Sequence, residues 1–192
     1  MNPRLVRWID VAAQRWRNGG GNTREMLVWP PGDGWRIRVS VADVESDGPF
    51  SAYPGVSRWF VVLQGAGVDL TVDAQLHRCR RGDPPLAFAG EATTTCHLID
   101  GPTRDLNLML RKASGAISAA VDGAAWSTTT TQCGLYSAVA GRCQAGALDI
   151  AVPAQALLWF EQAPASVVFH AGERPAALIG WWLAATPSET AP

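Results

Sequence analysis

The sequence predicts an all-β fold, a sandwich or barrel, divided into two lobes on one chain of 192 residues. Short apolar or alternating segments recur along most of the chain and are separated by Gly, Pro and Asp, which is typical of such folds. No amphipathic pattern extends over more than a few helical turns. A stretch of small and hydroxylated residues between two strand-rich regions indicates the division into lobes.

The first lobe, residues 1–111, carries the clearest strand patterns. The best local candidate for a short helix is near residues 10–15. Within residues 35–44, apolar residues at every second position alternate with Arg38 and Ser40, so the two sets lie on opposite faces of a strand. Further strands of this lobe are predicted at residues 59–63, 68–72, 86–89, 93–99 and 105–111, with a glycine-bearing hairpin turn between the first two.

Residues 112–132 are predicted to be a connector, because small residues and a run of threonines dominate them and Trp126 is their only aromatic residue. The second, smaller lobe at residues 133–185 has strand candidates at 135–140, 147–152, 156–160, 166–169 and 176–183. The tail at residues 186–192 is small, polar and proline-bearing, and we predict that it is flexible.

Composition excludes several classes of protein. Hydrophobic residues make up 47% and charged residues 17%, which predicts a globular chain. The net charge of -1 offers no basic field for phosphates, which argues against a nucleic-acid partner. No apolar run reaches the length of a bilayer, and the charged N-terminal residues do not resemble a signal peptide. We therefore expect a cytoplasmic protein with neither a nucleic acid nor a membrane as partner.

The segment W-R-N-G-G-G-N-T-R-E at residues 16–25 is the most informative motif. Gly19, Gly20 and Gly21 suit a backbone that takes unusual dihedrals or lies close to another group. It is not a phosphate loop, because neither Gly-Lys-Ser/Thr nor the G-x-G-x-x-G order is present. Two interpretations remain open, a plain turn and a ligand-binding loop.

Four motifs in sequence resemble the HutD/Ves family of small bacterial cupin-like proteins associated with histidine utilisation. They are the glycine segment, A-D-V-E-S-D-G-P-F-S at residues 42–51, Y-P-G with the following Arg58, and L-I-D-G-P-T-R-D-L-N-L-M at residues 98–109. The resemblance implies a bicupin, with two β-barrel lobes and a ligand pocket in the first. It also implies a ligand-binding or regulatory role, with urocanate or formylated glutamate as the type of ligand.

Metal-dependent cupins hold their ion with an H-x-H pair, a carboxylate and a later histidine. Residues 58–72, where that pair would fall, contain no histidine. His77, His97 and His170 are far apart in sequence, and the four cysteines show no C-x-x-C spacing. We expect neither a bound metal nor another cofactor.

The polar strand faces then predict a metal-free pocket. Alternate residues of each strand face a barrel interior, which would bring Arg38 and Ser40 together with Asp105 and Asn107. Arginine binds both oxygens of a carboxylate, and Arg38 keeps register with the second motif better than Arg36 does. The predicted ligand-binding residues are Trp16, Asn18, Gly19, Gly20, Gly21, Thr23, Arg38, Ser40, Arg58 and Asn107.

A structural alternative exists for Arg38 and Arg58, which are as well explained by ion pairs with Asp43, Glu45 or Asp47. For the chain as a whole, two function classes remain. The favoured one is a binding module for a carboxylate-bearing metabolite, without catalytic residues and with a homodimer left open. The other is a metal-free isomerase or hydrolase, whose acid–base candidates are Glu25, Asp105 and His97.

Overall fold

A computed structural model describes residues 3–172 and 178–188 as an all-β chain with one short 3-10 helix. It forms two compact units. The N-terminal unit is Ala12–Ala113, and the C-terminal unit comprises the described residues of Met1–Val11 and Ser114–Pro192. Within the described ranges, no helix has the length and apolar character required to cross a membrane.

The elements up to the end of the N-terminal unit are β1 (Arg4–Arg7), a 3-10 helix (Trp8–Asp10), β2 (Gln14–Arg15), β3 (Gly21–Trp29), β4 (Ile37–Val44), β5 (Gly48–Pro49), β6 (Val56–Gln64), β7 (Val68–Val72), β8 (Gln75–Cys79), β9 (Leu86–Ala89), β10 (Thr94–Leu98) and β11 (Thr103–Arg111). The later strands are β12 (Ala113–Ala120), β13 (Ala125–Trp126), β14 (Gln132–Ser137), β15 (Gly141–Ala145), β16 (Leu148–Val152), β17 (Ala156–Phe160), β18 (Val167–Ala171) and β19 (Gly180–Pro187).

The N-terminal unit packs a six-stranded sheet, in the order β2-β3-β4-β11-β6-β9, with a four-stranded sheet, in the order β5-β10-β7-β8. Both sheets contribute side chains to one buried cluster, which contains Val44 and Phe60 from the larger sheet and Val68, Leu70 and Cys96 from the smaller. Apolar residues at every second position of β7 supply this cluster, as the period of a half-buried strand requires.

The C-terminal unit combines the sheets β1-β17-β14-β19-β12 and β13-β18-β15-β16. Its core is filled by large side chains that include Phe160 and Phe169. The ring of Trp126 stacks on Trp182 with centroids 4.9 Å apart and planes at 9°, and its indole N–H donates to the Ser118 hydroxyl at 3.2 Å. None of the four sheets closes on itself in the described part of the chain, so the predicted barrel closure is not confirmed.

The structure differs from the predicted elements at several places. The predicted helix at residues 10–15 is wrong, since a 3-10 helix ends at Asp10 and β2 occupies Gln14–Arg15. The nine-residue β3 was not predicted, because it begins at a glycine and continues with polar residues. The range assigned to a connector contains β12 and β13. Thr186 and Pro187 of the predicted tail belong to β19, and residues 189–192 lie outside the described residues, as do residues 176–177 of the last predicted strand.

Candidate functional site

A cavity of about 530 Å³ lies within the N-terminal unit. Its walls come from the six-stranded sheet, the segment that leads into β3, and the loop between β5 and β6. The lining includes Trp16, Asn18, Thr23, Arg38, Ser40, Phe50, Tyr53, Arg58, Phe60, Asp105, Asn107 and Met109. Polar and aromatic side chains therefore converge on one half-open cavity, which is typical of small-molecule sites.

Strand register explains why these side chains meet. Met109 of β11 is paired with Arg38 of β4 on one side and with Arg58 of β6 on the other. Two residues earlier on β11, Asn107 is paired in the same way with Ser40 and Phe60. Because every second residue of a strand faces the same side, the polar groups of three adjacent strands line one face.

Arg58 is the most buried cation of this face, with only 7% of its surface exposed. Its Nη2 donates to Oδ1 of Asn107 at 2.8 Å, and its Nε has no hydrogen-bond partner among the described residues. The guanidinium carbon lies 4.9 Å from the ring centroid of Phe88 and 5.2 Å from that of Phe50. Burial lowers the pKa of Arg58 to about 10, so the group is still charged at neutral pH.

Arg38 lies near Arg58 and has a different environment. Its Nε is 2.6 Å from Oε1 of Glu25, although the N–H does not point at that oxygen, so the contact is an ion pair without a well-formed hydrogen bond. Its Nη1 donates to the Tyr53 hydroxyl at 3.3 Å. The Tyr53 ring is shared by both arginines, with centroid distances of 5.9 Å to Arg38 and 6.0 Å to Arg58. One arginine is thus neutralised by a carboxylate, while the other is held by an amide and aromatic rings.

The alternative ion pairs suggested for these arginines are wrong. Asp43 binds Arg24 and Arg104 at 3.0 and 2.6 Å. The other two carboxylates have partners of their own, with Glu45 binding Arg15 at 2.8 Å and Asp47 facing His97 at 3.1 Å.

Asp105 also lines the cavity and is completely buried. Its Oδ2 accepts a hydrogen bond from the Thr103 hydroxyl at 3.2 Å, and its Oδ1 has no partner among the described residues. Burial raises the pKa of Asp105 well above the ordinary carboxyl value, and the nearby charge of Asp43 raises it further. A carboxyl in this environment holds its proton as the pH rises past its ordinary range.

The glycine segment forms a tight turn at the edge of the cavity. The Trp16 indole donates to the Thr23 hydroxyl at 2.7 Å, and the Asn18 side chain accepts from the Gly20 amide at 3.0 Å. Gly19 has φ of 72°, in the region that favours glycine. A Cβ on Gly21 would lie 2.3 Å from the backbone oxygen of Asp43. These glycines are required by the backbone.

Seven of the ten residues predicted to bind ligand line the cavity, and the three glycines are not among its described lining residues. The structure adds Phe50, Tyr53 and Arg17. Phe50 and Tyr53 belong to two of the motifs that support the family resemblance, and their place in those motifs could have identified them as site residues. Arg17 lies inside the glycine segment itself.

The three acid–base candidates are not brought together. Glu25 is engaged with Arg38 and is absent from the described lining of the cavity. His97 pairs with Asp47 at an exposed position. Only Asp105 faces the cavity. Within the residues that the structure describes, no three His, Cys, Asp or Glu side chains lie close enough to hold a metal ion.

Comparison with known proteins gives a family match over most of the chain. The family model described as HutD matches residues 9–174. A Pseudomonas putida protein, described as an uncharacterized 21.2 kDa protein in the hutC 3' region, is 41% identical over 108 residues, which are 55% of this chain and 56% of that protein. Protein Ves of Citrobacter koseri is 34% identical over 134 residues, which are 68% of this chain and 70% of its own.

Solved structures show the same fold. A conserved protein of unknown function from Pseudomonas aeruginosa PAO1 has a TM-score of 0.84 at 26% identity and covers 98% of this chain and 100% of its own. HutD from Pseudomonas fluorescens SBW25 has a TM-score of 0.81 at 24% identity, with coverage of 97% and 100%. Salicylate 1,2-dioxygenase of Pseudoaminobacter salicylatoxidans, at 8% identity, has a TM-score of 0.64 over 96% of this chain and 81% of its own. The fold is therefore cupin-like.

Proposed function

The chain belongs to the HutD family, and we propose that it is a cytoplasmic protein that binds a small carboxylate-bearing metabolite in the cavity of the N-terminal unit. The ligand is of the urocanate or formylglutamate type, and its binding senses or modulates histidine utilisation. The name of the family and the position of the Pseudomonas putida relative near hutC support this association. The site operates without a metal.

The observation that carries this proposal is the environment of Arg58. A buried cation is costly unless it is paired, and the partner that the structure provides is the neutral amide of Asn107. No carboxylate of the described residues forms an ion pair with Arg58, and its Nε remains without a hydrogen bond there. A ligand carboxylate would supply both the charge and the acceptor, in the paired geometry that arginine favours.

Other groups of the cavity suit the rest of such a ligand. The rings of Trp16 and Phe50 meet edge to face, with centroids 6.4 Å apart, and both line the cavity, where they offer apolar surface to a planar group. The hydroxyl of Ser40 and the amide of Asn18 add groups that can donate and accept hydrogen bonds. This combination of one charged anchor, a few polar groups and aromatic surface is what a small polar metabolite requires.

A second function, a metal-free isomerase or hydrolase, is favoured by one observation only. Asp105 is a buried carboxyl that lines the same cavity as Arg58, and such groups serve as general acids or bases in enzymes. The hydroxyl that is bonded to Asp105 belongs to Thr103, which is not a described lining residue of the cavity, so we prefer the binding function. Incubation of the protein with each ligand, followed by product analysis, distinguishes the two.

Isothermal titration calorimetry with urocanate and with N-formyl-L-glutamate tests the binding function. We expect at least one of them to bind, and we expect Arg58→Gln to weaken that ligand about 100-fold, because a charge-assisted pair is lost. Arg58→Lys should recover only part of the affinity, since lysine cannot form the paired contact.

Arg78→Gln is the matched control, because Arg78 forms an exposed ion pair with Asp69 on the four-stranded sheet and is not a described lining residue of the cavity. Its affinity should equal that of the wild type. The proposal fails if neither compound binds, or if Arg58→Gln binds the ligand as tightly as the wild type.

A further inference from the structure

A ligand carboxylate bound to Arg58 does not by itself explain why a buried carboxyl, that of Asp105, lies in the wall of the cavity. Oδ1 of Asp105 is fully buried and has no hydrogen-bond partner among the described residues, while Oδ2 is occupied by the Thr103 hydroxyl. A buried polar atom without a hydrogen bond is costly, so Oδ1 of Asp105 requires a partner. The carboxyl belongs to the wall of the cavity, which is where a partner can come from.

We infer that Asp105 and Thr103 form a second recognition point, at which the protonated carboxyl of Asp105 donates a hydrogen bond to a neutral acceptor atom of the ligand. This rests on the proposed function, because the same ligand places its carboxylate at Arg58. The Thr103 hydroxyl donates to Oδ2, which leaves Oδ1 as the oxygen that carries the proton. The acceptor is a carbonyl oxygen or an imine-type ring nitrogen.

The charges around the carboxyl favour this assignment over an ionised Asp105. Burial opposes the charged form and raises the pKa of Asp105, and the carboxylate of Asp43 acts in the same direction. The thiols of Cys79 and Cys96 are neutral, because burial raises their pKa values to about 11 and about 12. Four arginines line the cavity. Arg15 and Arg38 are paired with Glu45 and Glu25, Arg17 is exposed, and Arg58 is directed to Asn107.

Strand geometry sets the size of the ligand. Asp105 and Asn107 are two residues apart on β11 and face the same side, so their side chains lie about 7 Å apart along the strand. Arg58 is held at the level of Asn107. The site therefore selects molecules that carry a carboxylate at one end and a neutral acceptor roughly 7 Å away, and it discriminates against simple carboxylates.

The test compares each ligand with an analogue of similar size that keeps the carboxylate and lacks the acceptor. Urocanate is paired with 3-(pyrrol-2-yl)acrylate, which keeps the planar shape and lacks the acceptor nitrogen. N-formyl-L-glutamate is paired with 2-propylglutarate, which lacks the formyl oxygen and also the amide N–H. We expect the wild type to bind the acceptor-bearing member of the preferred pair about tenfold more tightly, the effect of one hydrogen bond to a buried group.

Two variants identify Asp105 as the source of the preference. Asp105→Asn keeps a donor at the same place and should retain both affinity and discrimination. Asp105→Leu removes the donor and should bind both members of the pair equally, provided that circular dichroism shows it folded. Thr103→Val should reduce the preference without removing it, since the carboxyl loses its positioning contact.

Equal binding of both pair members by the wild type would overturn the inference while leaving the proposed function intact. A loss of at least tenfold in affinity for Asp105→Asn would also overturn it, because an ionised Asp105 would then be the counter-ion of a cationic ligand. If no carboxylate binds the wild type at all, the proposed function fails and this inference fails with it.

Discussion

Arg58 donates from Nη2 to Oδ1 of Asn107 at 2.8 Å, and both side chains are buried on one face of the six-stranded sheet. An amide orients the guanidinium without cancelling its charge. A carboxylate at position 107 would do both, and the site would then have no net charge to offer an anion. The choice of a neutral partner is therefore the feature that makes this buried arginine available for a ligand.

Asn107→Asp tests that relationship directly. The new carboxylate forms an internal ion pair with Arg58, so we expect the affinity for the carboxylate ligand to fall by at least about tenfold. Calorimetry with the ligand that binds the wild type measures the change. Asn107→Leu is the matched variant, because it removes the acceptor and adds no charge. It should weaken binding and also lower the melting temperature, whereas Asn107→Asp should not melt lower. Wild-type affinity in Asn107→Asp would contradict this explanation.

Arg58 is expected to reduce stability for the benefit of binding. Replacing it with Met leaves a flexible apolar side chain against Phe50 and Phe88 and removes the desolvation cost of the charge. We expect the free energy of unfolding in urea to increase by roughly 1 kcal/mol.

Arg38→Met is the control, because it removes the partner of Glu25 at a partly exposed ion pair. Its stability should stay the same or fall slightly. The result that contradicts this expectation is a urea midpoint for Arg58→Met below that of the wild type, with an unchanged dependence of the unfolding free energy on urea. It would show that the aromatic contacts of Arg58 and its hydrogen bond to Asn107 outweigh the cost of burying its charge.

Sequence patterns predicted two of the strands that carry the site, β4 and β11, but not β3 and not every partner within the site. Alternation along residues 35–44 and 105–111 placed Arg38, Ser40 and Asn107 on the correct faces, because successive side chains of a strand point to opposite sides. Cross-strand register depends on turns and bulges, such as the bulge between Glu25 and Leu27 in β3. The pairing of Arg38 with Glu25 follows from that register and could not be derived from spacing.

For the glycine segment, the sequence left the interpretation itself undecided. Its composition indicated either a turn or a ligand loop, and the backbone contacts of Gly21 favour the turn. β3 was missed because it is held by backbone pairing with β2 and β4 on either side, a tertiary effect that overrides a weak strand propensity. Aromatic residues of the cavity were visible in the motifs, but only the folded chain shows which of them surround a cation.

The pH dependence of stability should report the state of Asp105. Its pKa is raised in the folded protein, so the folded state binds the proton more tightly than the unfolded chain does. The free energy of unfolding should therefore fall as the pH rises from the ordinary carboxyl value, about 3.9, towards the raised value. Asp105→Asn cannot ionise and should lack this loss, so the variant gains stability relative to the wild type over the same window.

Urea unfolding of both proteins at several pH values measures the difference, which cancels the contributions of the other carboxylates. Among the neighbouring groups, Asp43 forms ion pairs with Arg24 and Arg104. The thiols of Cys79 and Cys96 have pKa values of about 11 and about 12, far above this pH window. A stability difference that does not change with pH would show that the pKa of Asp105 is the same in both states.

Gly21→Ala should be strongly destabilising. A Cβ at this position would lie 2.3 Å from the Asp43 backbone oxygen and 3.2 Å from the Trp16 ring, and backbone atoms of a paired strand cannot move away at little cost. We expect the free energy of unfolding to drop by roughly 3 kcal/mol, the upper range for steric overpacking. Because Trp16 lines the cavity and bonds to Thr23, the affinity for the carboxylate ligand should fall as well.

Gly34→Ala is the matched control for that substitution. Gly34 is exposed, has nothing within 4 Å of the new Cβ, and has a backbone conformation that any residue adopts. Restricting the unfolded chain there should leave stability unchanged or raise it by about 0.5 kcal/mol. If Gly21→Ala unfolds at the same urea concentration as Gly34→Ala and loses only ligand affinity, the glycine contacts the ligand, and the interpretation of this segment as a ligand loop would replace the turn.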